Sequence, residues 1–248
     1  MTRLFMEETE ASQEKITLNN DDSRYISQVL RMTPGEEITV VLKDGIEALC
    51  EICEVSKNCV TLDIKATKSI ASEPPYNITL YQSVSKGERM ELTIQKCVEL
   101  GVTRIVPVFS QRCVVKKDDP KKQASKIDRW QKIALEAARQ SGRGIVPVVS
   151  EAMNLQQALQ DAKANATIVL FPWEEEKGMS LKAALEGKNK EDFKEIAVFI
   201  GPEGGYDESE AQKAKENGAI PVTIGKRILR TETAGASVLS MLLFNFEL

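Results

Sequence analysis

A glycine-rich segment with a carboxylate at its centre is the first place in this sequence where chemistry could occur. Gly201-Pro202-Glu203-Gly204-Gly205 follows an apolar, strand-like run and precedes a predicted helix. Its spacing matches neither the dinucleotide-binding nor the triphosphate-binding glycine loop, Pro202 lacks a backbone N–H, and Glu203 would repel a phosphate. The glycines still allow the backbone to approach a flat ligand closely. The segment therefore indicates a ligand without phosphates, or else only a tight turn with Glu203 in solvent.

A second polar segment, KRILRTETAG at 226–235, follows the next predicted strand. It places Arg227, Arg230 and Glu232 around an apolar Ile-Leu step and then enters a long apolar helix. Apolar side chains beside polar corners suit a flat heterocycle, so the two segments together predict a nucleoside-like ligand that carries no triphosphate. The alternative is an internal salt bridge between Arg230 and Glu232 that only shapes the loop.

The absence of histidine restricts the chemistry further. Without it, Ser-His-Asp and Cys-His nucleophile systems and zinc-hydrolase clusters are excluded, so carboxylates, Lys, Tyr, Arg, backbone dipoles or a cofactor must act instead. The five cysteines are an odd number without a framework spacing, which predicts free thiols. Cys50 and Cys53 form a C-x-x-C, but their offset along a strand-like run points them to opposite faces. We therefore expect no metal site.

The hydrophobic pattern changes near residue 72 and so predicts two domains. Residues 1–72 read as short alternating strands with an Asp44-Gly45 hairpin turn. One helix interrupts them, with Asp21 or Asp22 as its N-cap and Pro34-Gly35 at its end. This pattern predicts a small β-barrel that carries a helix.

Beyond a proline-containing linker at 71–77, strands alternate with helices. Strands are predicted at 77–84, 104–109, 166–172, 195–201 and 219–225, and helices at 86–100, 123–141, 154–163, 207–217 and 231–246. Such alternation predicts an α/β domain over 73–248 with a mostly parallel sheet covered on both faces. Because ligands of such sheets bind beyond the carboxyl ends of the strands, we expect the loops after Phe171, Ile200 and Ile224 to lie at one edge.

The charge is distributed unevenly. The net charge is −4, but Arg112 to Arg143 holds ten Lys and Arg residues against four Asp and Glu. Such a basic stripe can follow a phosphate backbone, and a solvated helix face is the alternative. No apolar run reaches membrane-spanning length and the N-terminus does not read as a signal peptide, so we expect a cytoplasmic protein.

The two C-terminal motifs, IGPEGGYDESE and IGKRILRTETA, resemble the signature pair of the knotted (SPOUT) RNA methyltransferases. More closely, they resemble the ribosomal RNA small subunit methyltransferase E family, which methylates uridine N3 in 16S rRNA. KGERMELTIQKCVELGVTRIVPVFSQR, RWQKIALEAARQSGR and YISQVLRMTPGE extend the resemblance over essentially the whole chain. The family often has histidine where this chain has Tyr25, so a role for an imidazole does not carry over to this position.

The resemblance implies a PUA-like, RNA-binding β-barrel at 1–72 and a trefoil-knotted α/β methyltransferase domain at 73–248. It also implies S-adenosylmethionine as cofactor, 16S rRNA of the small ribosomal subunit as substrate, and a homodimer. The implied cofactor-binding residues are Phe171, Pro172, Ile200, Gly201, Pro202, Glu203, Gly204, Gly205, Ile224, Gly225, Ile228, Leu229, Arg230, Thr231 and Thr233.

Methylation of uridine N3 requires removal of the N3 proton, which spreads negative charge onto the flanking carbonyl oxygens. A cation near those oxygens and a carboxylate near N3 would assist. We expect Arg230 to stabilise the charge and Glu232 or Glu203 to accept the proton. The residues predicted to bind RNA are Arg3, Arg24, Arg31, Arg112, Arg139, Gln140 and Arg143, although any single arginine could instead form a surface ion pair.

Three other functions fit parts of the sequence. A related knotted enzyme could methylate ribose 2′-hydroxyls, and a non-catalytic RNA-binding assembly factor could retain a vestigial cofactor site. A nicotinamide-dependent enzyme on a doubly wound sheet is disfavoured because no G-x-G-x-x-G follows the early strand.

Overall fold

The computed structural model describes residues 3–6, 9–56, 58–117, 119–187 and 193–247, with Asp44 described in its backbone only. Within these ranges, none of the helices combines the length and the hydropathy that crossing a membrane requires. The chain divides into two compact units. The first comprises Met1–Glu73 together with Ala138–Val146, and the second comprises Pro74–Ala137 and Pro147–Leu248. The sequence-based boundary had assigned the segment 138–146 to the second domain.

The first unit contains a five-stranded sheet. Its elements are β1 (Arg3–Phe5), β2 (Lys15–Thr17), α1 (Asn20–Arg24), a π-helical segment (Tyr25–Leu30), β3 (Glu37–Leu42), a 3₁₀ turn (Lys43–Gly45), β4 (Ile46–Val55) and β5 (Val60–Ser69). The strand order is β1-β3-β4-β5-β2, and only the β1–β3 pair is parallel. The predicted turn is confirmed: Leu42 pairs with Ile46 across it, and Gly45 has a φ of 69°.

Alternation of apolar residues builds the core of this unit, because every second side chain of a strand points inward. Ile38, Val40 and Leu42 of β3 are buried in this core, as is Cys50 of β4. Cys53 is partly exposed, as expected from its offset from Cys50, and all five cysteines are free thiols. Burial raises the pKa of the Cys50 thiol to about 11, which makes it unreactive.

The predicted caps of the first helix are wrong. The helix begins at Asn20, and the side chain of Asn19 accepts a hydrogen bond from the Asp22 N–H at 2.9 Å. Asp21 and Asp22 therefore lie inside the first turn, where their negative charges interact favourably with the helix dipole. The π-helical segment ends at Leu30, followed by Arg31 with a left-handed φ of 54°, so the helix stops before Pro34-Gly35.

The second unit is an α/β domain with a parallel sheet. Its elements are β6 (Asn77–Ser83), α2 (Arg89–Glu99), β7 (Arg104–Phe109), α3 (Pro120–Ser141, which runs on into the segment grouped with the first unit), β8 (Val148–Val149), β9 (Met153–Asn154), α4 (Leu155–Asn165), β10 (Ile168–Pro172), α5 (Leu181–Leu185), β11 (Glu195–Ile200), α6 (Glu208–Glu216), β12 (Ile220–Val222) and α7 (Thr231–Phe246). The strand order is β12-β10-β11-β6-β7-β8, with β9 also beside β7, and every pair is parallel.

The structure confirms the predicted α/β alternation. All five predicted strands and all five predicted helices are present, with ends shifted by up to three residues. The short elements β8, β9 and α5 were not predicted, because two to five residues carry too little periodicity to be recognised. The trefoil knot remains a prediction from the resemblance.

Candidate active site

Three loops at the carboxyl edge of the parallel sheet surround a pocket. Strands β12, β10 and β11 are neighbours and run in the same direction, so the loops that follow them meet at one edge, as predicted. The pocket has a cavity volume of about 120 Å³ and opens to solvent. Its lining residues are Pro172 to Glu174, Ile200 to Pro202, Gly205, Tyr206, Val222 to Leu229, Thr231 and Ala234.

Ten of the fifteen predicted cofactor residues line this pocket: Pro172, Ile200, Gly201, Pro202, Gly205, Ile224, Gly225, Ile228, Leu229 and Thr231. Phe171 does not, because it is fully buried in the core with its ring stacked on Tyr206 at a centroid distance of 4.3 Å. Thr233 lines a separate groove along α7. Glu203, Gly204 and Arg230 also lie outside the lining.

The prediction missed several residues that line the pocket: Trp173, Glu174, Tyr206, Val222, Thr223, Lys226, Arg227 and Ala234. Trp173 and Glu174 belong to the loop after Phe171, which the sequence analysis places at this edge. Their position in that loop was the signal that could have found them. Tyr206 follows the GPEGG segment directly.

The glycines of the GPEGG segment lie close to neighbouring side chains. A Cβ built on Gly201 would lie 3.2 Å from the Tyr206 ring, and one on Gly204 would lie 3.2 Å from the Cβ of Arg112. Gly205 has a φ of 67°, and its Cβ would collide with the carboxylate of Glu174. A side chain at any of these positions would require the neighbouring group to shift, and at Gly205 the backbone would also be strained.

Glu203 anchors this segment to the start of α2. Its carboxylate accepts a hydrogen bond from the Lys86 N–H at 3.2 Å and from Arg89 Nη1 at 2.7 Å. Burial alone would raise the pKa of Glu203, but hydrogen bonds from its own backbone N–H, from Lys86 and from Arg89 together hold it below its usual value. A carboxylate held in this way is a weak base.

The Thr231 side chain links the start of α7 to the ends of β6 and β11. Its hydroxyl donates to the Gly201 carbonyl at 2.7 Å and accepts from Gln82 Nε2 at 2.8 Å. Gln82 is fully buried at the end of β6, and its Nε2 also donates to the Ser83 carbonyl at 3.1 Å. This chain of hydrogen bonds fixes the start of α7 against the end of β11. Sequence reasoning missed Gln82, a polar residue within an apolar strand.

Arg230 and Glu232 lie on either side of Thr231 and form only a loose pair. The side chain of Arg230 is 79% exposed and that of Glu232 is 14% exposed, with Nη1 and Oε1 4.0 Å apart. Among the described residues, Oε2 of Glu232 is buried without a hydrogen-bond partner. The arrangement leaves an exposed cation and a shielded carboxylate next to each other.

Comparisons with known proteins identify the family. Residues 72–243 match the model of an RNA methyltransferase domain, and residues 18–65 match that of an RNA methyltransferase PUA domain. Ribosomal RNA small subunit methyltransferase E of Bacillus subtilis is 35% identical over 253 residues, which cover 100% of this chain and 98% of that protein. The chain belongs to the ribosomal RNA small subunit methyltransferase E family.

Solved structures of relatives agree with this assignment. A methyltransferase E from Neisseria gonorrhoeae, solved bound to S-adenosylmethionine, is 34% identical with a TM-score of 0.85 and covers 99% of this chain and 98% of its own. A protein from Legionella pneumophila, solved in complex with the same cofactor, is 31% identical with a TM-score of 0.81 and covers 98% and 97%.

In this member of the methyltransferase E family, three arginines predicted to bind RNA lie in largely buried ion pairs of the first unit. Arg3 pairs with Glu47 at 2.6 Å, and Arg143 pairs with Glu73 at 2.7 Å. Arg139 pairs with Asp22 at 3.2 Å and lies 4.5 Å over the ring of Tyr25, the residue that departs from the family pattern. These guanidinium groups already have partners, which weakens their case as phosphate ligands.

The other predicted RNA-binding residues are exposed. Arg24, Arg31 and Gln140 lie on the surface of the first unit. Arg112, in the second unit, pairs with Asp207 at 2.9 Å and donates to the Gly204 carbonyl at 3.2 Å. Exposed positions of this kind are the stronger candidates for contact with RNA.

Arg143→Ala is expected to destabilise the first unit. The guanidinium is 3% exposed and makes three hydrogen bonds to Glu73, so its removal leaves a half-buried carboxylate without its cation. We expect a loss of about 3 kcal/mol, which lowers the thermal midpoint by about 6–12 °C in calorimetry. Arg24→Ala is the control, because Arg24 is exposed and its side chain makes, among the described residues, only a long hydrogen bond to Asn58 at 3.4 Å. Loss of RNA affinity at unchanged thermal stability would instead make Arg143 an RNA contact.

Thr231→Val is expected to destabilise the second unit at nearly constant side-chain volume. The variant leaves the Gly201 carbonyl without its donor and Gln82 Nε2 without one acceptor, at a cost of about 1–3 kcal/mol in urea unfolding. Thr233→Val is the matched control on the same helix, because Thr233 is exposed and its hydroxyl has no hydrogen bond to the described residues. Equal effects of the two substitutions would show that the Thr231 hydroxyl has no special role.

Proposed function

We propose that this protein transfers the methyl group of S-adenosylmethionine to N3 of a uridine in 16S rRNA of the small ribosomal subunit. The observation that carries the proposal is the pocket formed by the loops after β10, β11 and β12, in a chain whose full-length relatives are small subunit methyltransferases. A ribosomal substrate would also place the protein in the cytoplasm.

The residues of the pocket fit S-adenosylmethionine. Ile200, Ile224 and Leu229 offer apolar surface for a flat heterocycle, and the lining contains basic side chains that can attract the carboxylate of the ligand. Pro202 and the adjoining Glu203 are unsuited to a triphosphate, which this ligand lacks. When bound, S-adenosylmethionine supplies an electrophilic methyl group.

Glu232 is better suited than Glu203 to accept the N3 proton. Glu203 is held by Arg89 and by the Lys86 N–H, which lower its pKa and its basicity. Glu232 is shielded from solvent and lies in the first turn of α7, beside residues that line the pocket. Its free oxygen has the unused acceptor capacity that proton removal needs.

Arg230 is suited to stabilise the charge that develops on the uracil oxygens. Its guanidinium extends into solvent next to the pocket, and its 4.0 Å approach to Glu232 is too loose to fix it there. An exposed cation can reach a base that has been flipped out of the RNA.

Methyl transfer to isolated small subunits that lack the modification tests this function. The purified protein is first titrated with S-adenosylmethionine and with NADH as control. It is then incubated with the small subunits and S-adenosylmethionine that carries a labelled methyl group, and the labelled nucleotide is identified by digestion and mass spectrometry. We expect binding of S-adenosylmethionine alone and label in N3-methyluridine. Label on a ribose hydroxyl would indicate the related 2′-O-methylating activity, and RNA binding without transfer would indicate an assembly factor.

We also propose that the protein forms a homodimer. On α7, Phe244 is 74% exposed and Met241 is 40% exposed, beside an apolar groove that includes Leu181 and Leu185. Apolar surface of this kind is typical of a subunit contact. Sedimentation velocity at micromolar concentration distinguishes a dimer from a monomer.

A further inference from the structure

Three consecutive glutamates follow β10 and have different surroundings. Glu176 shapes its own loop, since its Oε1 accepts from the Gly178 N–H at 2.8 Å and the Met179 N–H at 3.1 Å. Glu174 and Glu175 are both exposed, and Glu175 lies outside the pocket lining. Glu174 is the one carboxylate among the residues that line the pocket, and the described residues give it neither an ion pair nor a hydrogen bond.

The carboxylate of Glu174 lies directly over the backbone of Gly205. A Cβ on Gly205 would lie 2.5 Å from Oε2 and 2.6 Å from Cδ of Glu174, and closer still to Oε1. The Gly205 N–H donates to the Pro202 carbonyl at 2.9 Å, so it is not the partner of the carboxylate. The absence of a side chain at Gly205 therefore makes room for a carboxylate whose two oxygens both remain free to accept.

We propose that Glu174 binds the two ribose hydroxyls of the nucleoside ligand, an inference that rests on the proposed function. Vicinal hydroxyls offer two O–H donors, and a carboxylate accepts both through its two oxygens. An acidic side chain beside a glycine loop performs this task in dinucleotide-binding sheets of a different strand order.

The position of the positive charges favours placing the amino-acid end of the ligand away from Glu174. Lys226 and Arg227 line the pocket in the loop after β12, whereas Gly205 lies in the loop after β11, and β10 lies between these two strands. The ligand carboxylate is attracted to Lys226 and Arg227. The ammonium group, attached to the same carbon as that carboxylate, lies there as well, and the ribose is left to Glu174.

Calorimetric titration of Glu174→Gln tests this assignment, with Glu175→Gln as the matched control. The probes are S-adenosylhomocysteine, methylthioadenosine (which lacks the amino-acid end) and 2′-deoxy-methylthioadenosine. We expect Glu174→Gln to bind the first two about tenfold more weakly than wild type, because one charged hydrogen-bond acceptor is lost, and Glu175→Gln to bind them unchanged. For the 2′-deoxy compound, wild type and Glu174→Gln should differ much less.

Two results would overturn the assignment while leaving the proposed function intact. Unchanged affinity of Glu174→Gln for all three probes would remove any role of this carboxylate, and weaker binding of S-adenosylhomocysteine alone would place it at the ammonium group. Failure of the wild-type protein to bind either of the ribose-containing probes would instead reject the cofactor, and this assignment with it.

Discussion

Arg230→Ala is expected to lower the rate of methyl transfer by about 10²–10³-fold, the usual cost of losing one group that stabilises developing negative charge. Its affinity for S-adenosylmethionine is expected to stay within about twofold of wild type, because Arg230 does not line the pocket. The start of α7 should also be preserved. The backbone carbonyl of residue 230 accepts from the Thr233 N–H at 2.9 Å and from the Ala234 N–H at 2.8 Å, and the substitution does not remove this carbonyl.

Arg227→Ala is the matched control for this experiment. Arg227 is a second exposed arginine three residues earlier, and it does line the pocket. We expect its loss to weaken binding of S-adenosylmethionine and to affect the rate at saturating cofactor much less. Equal losses of rate and cofactor affinity in Arg230→Ala would make Arg230 a structural residue of the loop.

The sequence predicts the edge of the sheet and ten of the residues that line the pocket, but not the remaining ones. The loops after β10, β11 and β12 converge because parallel strands with helical crossovers bring their carboxyl ends together, whatever their detailed sequence. Successive side chains of a strand point to opposite faces of the sheet, so a shift of one residue decides whether a side chain points into the core or toward the pocket. Phe171 points into the core, whereas Pro172, which was predicted, and Trp173, which was not, line the pocket.

Long-range polar pairs account for the other differences. Arg143 looks available for RNA in the sequence because its partner Glu73 lies 70 residues earlier, and no local pattern connects them. Gln82 and Thr231 are 149 residues apart in the sequence, and only folding brings their side chains within hydrogen-bond distance. In contrast, the helix start at Asp207 is visible in the sequence, because the capping box to Glu210 spans three residues and the structure contains it.

Glu232→Gln is expected to lower the rate of methyl transfer by about 10²–10⁴-fold, since the amide cannot accept the N3 proton. The side chain keeps its size and its place in the first turn of α7, so folding stability should change little. The residual rate should rise with pH more steeply than that of wild type, because a growing fraction of the uridine loses its N3 proton to solvent. Single-turnover transfer from radiolabelled cofactor to small subunits measures both effects.

Glu203→Gln tests whether Glu203 accepts the N3 proton or only anchors the GPEGG segment. This substitution removes the charge that faces Arg89 but retains an oxygen for the Lys86 N–H. Because the ion pair is partly exposed, with side-chain exposures of 42% and 23%, its loss should cost less than about 1 kcal/mol of stability. We expect a modest fall in cofactor affinity, since the glycine loop is less firmly held, and no change in the pH dependence of the rate. A larger loss of rate in Glu203→Gln than in Glu232→Gln, with the steeper pH dependence, would assign the proton transfer to Glu203 and leave Glu232 as the partner that orients Arg230.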